Sequence, residues 1–169
     1  MATRSVLKNF NLFVDSKGYA GKVDEVTLPK LTLKMEEFRA GGMDAPIEIE
    51  QGMEKLEMSF VVGSREFDIL KTFGVFGKET PLTLRGAFQD EMGVVTPVTI
   101  NATGICKERD LGTWKPGENA PATLNFALKT YKETQDGTVL YDIDITNMKR
   151  VINGKDQLEG IRSALGMSK

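Results

Sequence analysis

Histidine is absent from the 169 residues. That removes the Ser–His and Cys–His nucleophile pairs and the commonest general base near neutral pH. It also removes the commonest metal ligand. Cysteine is nearly absent. The one thiol, Cys106, can make no internal disulfide and cannot build a zinc site alone. It sits in a strand-like stretch, where a thiol packs as a small hydrophobe. No apolar run approaches the roughly 20 residues that span a bilayer. The opening "MATRSVLKNFNLF" has no long apolar core followed by a small-residue cleavage site, so no signal peptide is expected. Arginine-rich runs are missing too, and the formal net charge of -2 gives no global drive toward nucleic acid by counterion release. These absences argue against an enzyme, a metal site, a cofactor and membrane insertion.

What is present reads as one domain over residues 1–169, with 40% apolar and 27% charged residues. Period two dominates. Leu7, Phe10, Leu12 and Val14 alternate with polar partners, and Leu56, Met58, Phe60 and Val62 alternate with Lys55, Glu57 and Ser59. Strands are also expected at 22–28, 31–38, 81–89 and 122–134, and 94–108 is expected to form one long strand or two with a bend near Pro97. Asp136-Gly137 and Asn153-Gly154 are hairpin-turn signals. Two short helices interrupt the pattern. One is expected over 65–73, with Ser64 as N-cap and Phe67, Leu70 and Phe73 on one stripe against a sheet. The other is expected over 156–165, where Asp156 and Glu159 have capping-box spacing and Leu158, Ile161 and Leu165 form a stripe. Gly160 weakens that helix by roughly 1 kcal/mol against alanine, so tertiary or intersubunit packing must hold it. The fold class is all-β, sandwich-like, with one short flanking helix and a short C-terminal helix.

Little of this carries chemistry. Asp142 and Asp144 fall on one side of a strand and could bind a hard cation or perform acid–base work. A solvated strand face explains them as well, and a calcium loop would need glycine and more oxygen ligands nearby. Gly41, Gly42 and Gly52 lack the strand–glycine–helix setting of a phosphate loop. Trp114, in the polar loop 109–120, fits packing of that loop onto its own domain or a neighbour better than ligand stacking.

Residues 40–52 stand apart. They carry three glycines, a proline and scattered apolar side chains, with no helical period, and they are longer than a strand connection requires. Met43, Ala45, Pro46, Ile47 and Ile49 are the wrong composition for a solvated chain. Each large aliphatic, once fully buried, contributes roughly 1.5–3 kcal/mol. Several of them buried against another subunit could offset the cost of ordering such an arm. Sheet edges point the same way, because an all-β domain exposes two edges unless it closes or pairs them. A ring of subunits joined edge to edge shares one wide barrel and leaves an open channel.

Four segments carry a family likeness: "TLPKL" at 27–31, "FRAGGMDAPIEIEQG" at 38–52, "GTWKPGE" at 112–118 and "INGKDQLEGIRSALG" at 152–166. In this order, over nearly the whole chain, the sequence resembles the major tail tube proteins of contractile-tailed phages and of R-type pyocins. "MSK" after Leu165-Gly166 is a slightly longer tail than that pattern. The resemblance implies hexameric rings stacked into a hollow tube inside a contractile sheath, an architecture similar to the type VI secretion tube. It implies self-association and contacts with a tail sheath protein, a baseplate or hub, and a tail terminator. A tape measure protein and DNA would pass through the lumen where the particle carries them. The setting would be a virion tail or phage-tail-like particle assembled in the host cytoplasm. The stacking arm would be Arg39, Ala40, Gly41, Gly42, Met43, Asp44, Ala45, Pro46, Ile47, Ile49 and Gly52. Lumen-facing candidates are the small or polar side chains of two strands: Thr99, Asn101 and Thr103, with Thr123, Asn125 and Lys129. The competing readings are the tube of a type VI-like secretion system and a monomeric β-sandwich binding module.

Overall fold

A computed structural model describes residues 3–167. Strands run in chain order as β1 (Val6–Val14), β2 (Lys17–Gly18), β3 (Val23–Thr27), β4 (Leu33–Phe38), β5 (Ile47–Met53) and β6 (Glu57–Val62). After helix α1 (Phe67–Leu70) come β7 (Thr80–Gln89), β8 (Val95–Asp110), β9 (Ala122–Gln135) and β10 (Thr138–Asp144). The chain then forms β11 (Lys149–Ile152), β12 (Lys155–Asp156) and helix α2 (Glu159–Ala164). The expected all-β class is what the molecule has.

One ten-stranded sheet contains everything except β4 and β5. Its order is β12-β11-β10-β9-β8-β7-β1-β2, with β6 also paired to β9 and β3 paired to β6. The alternation seen in the sequence places one row of each strand inside. Leu12 and Val14 stand opposite Leu84 and Leu82, and Leu82 and Leu84 stand opposite Ala102 and Ile100. All of these are buried, as are Met58, Phe60 and Val62 of β6 and Leu124 and Phe126 of β9. The rings of Phe60 and Phe126 stack at 5.5 Å. Strands from opposite ends of the sheet thus bury side chains in one cluster, so the sheet curls over its own core.

The corner of that curl lies in β9. Its first half, Ala122 to Ala127, pairs with β6, and its second half, Thr130 to Gln135, pairs with β10. Between the halves the register against β8 slips, so that Thr103 faces Thr130 and the next residue, Gly104, faces Leu128. The extra residue is Lys129. It moves the inward row from Leu124, Phe126 and Leu128 to Tyr131, which a bulge does by shifting side-chain parity. The Leu128 N–H donates to the Leu56 carbonyl, while the Lys129 carbonyl accepts from the Ile145 N–H. Gly104 is what lets the bulged strand come close. A Cβ there would lie 2.3 Å from the Ala127 carbonyl oxygen.

The two Asp/Asn-Gly turns form as expected. Asp136 and Gly137 have φ of 49° and 78°, and Asn153 and Gly154 have 51° and 80°, the left-handed pairs that tight hairpins require. Strand β8 does not bend at Pro97. It runs through that residue as one long strand, the other of the two expectations, and its own bulge lies at Lys107, between Cys106 and Glu108. Cys106 is fully buried, and burial pushes its thiol pKa up.

Both helices are shorter than expected. The Ser64 hydroxyl binds the Glu66 carboxylate at 2.9 Å rather than capping a backbone N–H, and α1 starts only at Phe67. Only Ile69 of α1 is buried; the predicted stripe residues Phe67 and Phe73 are exposed. Asp156 does not cap α2, whose N-cap is Leu158 without a side-chain cap; its carboxylate instead accepts from the Leu158 N–H at 3.0 Å and from the Arg162 guanidinium at 2.7 Å. The α2 stripe leaves Ile161 and Leu165 in water.

Because the Gly104 contact is with backbone, Gly104→Ala must push β8 and β9 apart. The expected loss is about 1–3 kcal/mol, as for overpacked core sites. Denaturant midpoints of the variant and the wild type measure it; equal midpoints would contradict the account of the corner.

Candidate assembly surfaces

Strands β4 and β5 form a separate two-stranded sheet. Residues 40–52 are therefore not one extended loop. Ile47–Met53 is a strand, paired with Leu33–Phe38, and only residues 39–46 connect the two. The sequence signal was obscured because Ile47, Glu48, Ile49 and Glu50 are too few to establish a period before Gly52, whose φ is 101°. The connection folds on itself. The Met43 N–H donates to the Ala40 carbonyl at 3.3 Å, and Arg39 Nε donates to the Met43 carbonyl at 3.1 Å. Gly42 supplies the left-handed residue. Gly41, Asp44, Ala45 and Pro46 are exposed around this tip.

The hairpin has two unlike faces. Phe38 stands opposite Ile47 and Glu36 opposite Ile49, which puts three large apolar side chains on one face. The other face carries Glu37 opposite Glu48, Met35 opposite Glu50 and Leu33 opposite Met53. Phe38, Ile47 and Ile49 are 49%, 51% and 42% exposed, so the domain's own core covers none of them. Leu31, Leu33 and Met35 are exposed as well, the last two on the opposite face of the hairpin.

The lumen-facing candidates fall into two groups. Thr99, Asn101 and Thr103 lie together on the outward face of β8. Thr83 Oγ1 donates to Asn101 Oδ1 at 3.1 Å, and the Thr103 and Thr130 hydroxyls are 2.7 Å apart. Arg85, Lys132 and Thr134 are among their cross-strand neighbours, so the face is mostly polar, with Pro81 opposite Thr103. Thr123 and Asn125 lie beyond the bulge, opposite Val61 and Ser59 of β6. Lys129 is the bulge residue itself, and its ammonium pairs with Glu79 at 2.5 Å. None of the six points into the core.

Three further apolar surfaces escaped the sequence reading or were assigned to the core. Phe67, Phe73, Val75 and Phe76 are exposed on and after α1, beside Lys17 and Lys71. Met92, Val94 and Val95 are exposed at the β7–β8 turn, and Ile161, Leu165 and Met167 on and after α2. Trp114 is 62% exposed, with the Arg65 guanidinium 5.4 Å from its ring centre. The two aspartates of the possible cation site are engaged elsewhere. Asp142 holds Lys149 at 2.8 Å, and Asp144 accepts from the Asn147 backbone and side chain. Among the described residues no three acidic or thiol groups gather to hold a metal, and no helix is long and apolar enough to cross a membrane.

The sequence profile of the phage tail tube protein FII family matches residues 4–166. The chain belongs to that family. It is 32% identical to the tail tube protein of Escherichia phage P2, over 99% of this chain and 100% of that one. It is 31% identical to the major tail tube protein of Serratia phage KSP20, over 99% of each. Its fold is similar to a chain from the sheath–tube complex of an extracellular contractile injection system in its extended state. That match has a TM-score of 0.57 at 10% identity and covers 74% of this chain and 87% of the other.

One charged cluster in this family member gives a pH signature. Asp68 of α1 binds Lys17 at 2.5 Å and Lys71 at 2.8 Å, and these hydrogen bonds hold its carboxyl at about 2. A carboxyl depressed in the folded state stabilises above its ordinary value near 4 and loses that contribution as pH falls toward 2. Wild type and Asp68→Asn are therefore expected to differ in denaturant midpoint at pH 6 and to converge by about pH 2. A difference that persists unchanged at pH 2 would contradict the pairing.

Proposed function

We propose that this chain is the building block of a hollow tube: six copies close into a ring, and rings stack coaxially inside a contractile sheath. On this reading the protein is structural and performs no catalysis. It is the inner conduit of a phage tail or a phage-tail-like particle, and it meets the sheath on its outside and a baseplate and a terminator at its ends. The carrying observation is the β4–β5 arm, which projects from the main sheet with Phe38, Ile47 and Ile49 about half exposed on one face. The relationship to phage tail tube proteins along the full chain supports it.

Free strand edges support ring closure. Strand β2 covers β1 only at Phe13 and Val14, and the Tyr19 N–H takes the Leu12 carbonyl, so Val6 to Asn11 keep an unpaired edge. Strand β3 is paired on one side only. Such edges add strands from a neighbour through main-chain hydrogen bonds. The outward face of β7, β8 and β9, with Thr83, Arg85, Thr99, Asn101, Thr103 and Lys132, then lines the channel. Hydroxyls and amides there hold water rather than a passing polymer, which suits a conduit.

Two experiments test the reading. Ile47→Lys/Ile49→Lys places charges on exposed positions, so the monomer's stability is expected to move by no more than about 0.5 kcal/mol. Assembly, seen by light scattering and negative-stain microscopy, is expected to weaken by at least about 100-fold, from roughly 1.5 kcal/mol lost per buried anchor. Wild-type chain that stays monomeric at high concentration, or a double variant that still makes long tubes, would sink the arm's role. Separately, Asn101→Cys is expected to react with a bulky thiol reagent in the monomer and to be shielded in the tube, while buried Cys106 stays silent in both. Full labelling of intact tubes would place that face outside.

A further inference from the structure

The arm makes no strand pairing with the main sheet. Residues 31–42 and 44–51 are exposed along its whole length. Two contacts set its angle to the body. Met53, at its base, packs against the core. Farther out, Glu50 Oε1 lies 2.6 Å from Nη2 of Arg150. Arg150 is an unusual partner. It sits on β11 opposite Ile143, on the inward row, and is 7% exposed. Its Nε has no hydrogen-bond partner. Glu50 is the only carboxylate paired with its guanidinium among the described residues. A buried cation left without its partner is strongly disfavoured, so the body resists any tilt of the arm that withdraws Glu50. The same residue is tied to the C-terminal helix. The Arg150 carbonyl accepts from the Gln157 N–H at 2.8 Å, and its N–H points to Asp156, which binds Arg162 of α2.

We propose that Arg150 is the positioning residue of the arm. It fixes the hairpin at one angle in the free subunit, so that Phe38, Ile47 and Ile49 are presented to the next subunit already oriented. An arm ordered beforehand spares association the cost of ordering it. The inference rests on the tube reading for its consequence, but the arm's angle is measurable in the monomer alone.

Spin labels on Ala45→Cys at the tip and Thr138→Cys on the β9–β10 turn report that angle, with Cys106 buried and unlabelled. In otherwise wild-type protein the distance distribution is expected to be narrow. In Arg150→Met, which replaces the buried cation with a side chain the core accepts, it is expected to broaden while the fold persists. Glu50→Gln, on the exposed side of the pair, is expected to broaden it as well. Arg150→Lys, which keeps the charge, is expected to restore part of the narrowing. The concentration at which tubes appear is expected to rise by about tenfold in Arg150→Met, the cost of ordering the arm at assembly instead of before it. Unchanged distributions in both Arg150→Met and Glu50→Gln would overturn the proposal. So would broadened distributions with an unchanged assembly threshold. A wild-type monomer with a narrow distribution that never assembles would instead refute the tube reading and leave the positioning of the arm standing.

Discussion

Everything in this fold depends on one strand serving two partners on the same side. Strand β9 keeps β8 along its length and exchanges β6 for β10 halfway, and the exchange needs a bulge at Lys129. The bulge in turn needs a residue without a Cβ on β8, which is Gly104. With that corner in place a single sheet folds over itself, and side chains from β1 and β6 share one core although three strands separate them. Without it the same strands would lie in a broad open sheet with its apolar face in water.

The corner also explains what is left over. The core is completed by β1, β3 and β6 through β10 with α1, and no inward position remains for β4 and β5. The hairpin therefore projects, held by Met53 and by the Glu50–Arg150 pair. Its apolar face is not a packing fault of the subunit. It is surface that the subunit's own core leaves uncovered, as it does the exposed side chains after α1 and on α2.

The strands and tight turns were legible because each rests on a local signal. Leu56, Met58, Phe60 and Val62 alternate without interruption, and the two left-handed Gly turns were visible as dipeptides. Helix lengths were not, because the Ser64 hydroxyl had two possible partners and chose the Glu66 side chain. The arm was found by its composition but not by its form. A four-residue alternation before Gly52 is too short to announce a strand, and its partner, Leu33–Phe38, lies across the connection. Nothing local marks Arg150 as buried. Its neighbours Lys149 and Val151 face the other way, and the carboxylate it needs is a hundred residues earlier. The charge on the inward row is intelligible only once the sheet has brought Glu50 to it. The six lumen candidates all lie outside the core, which alternation alone decides, and the corner splits them into two groups.

The polar loop between β8 and β9 holds the molecule's single tryptophan, half bare, with the Arg65 guanidinium against its ring on the flank beside α1. Indole light shifts toward the blue when water leaves the ring. Any body laid across that flank must drive water away there, and no second indole in the chain can blur the signal. The indole is thus a built-in optical witness to whatever comes to cover that flank.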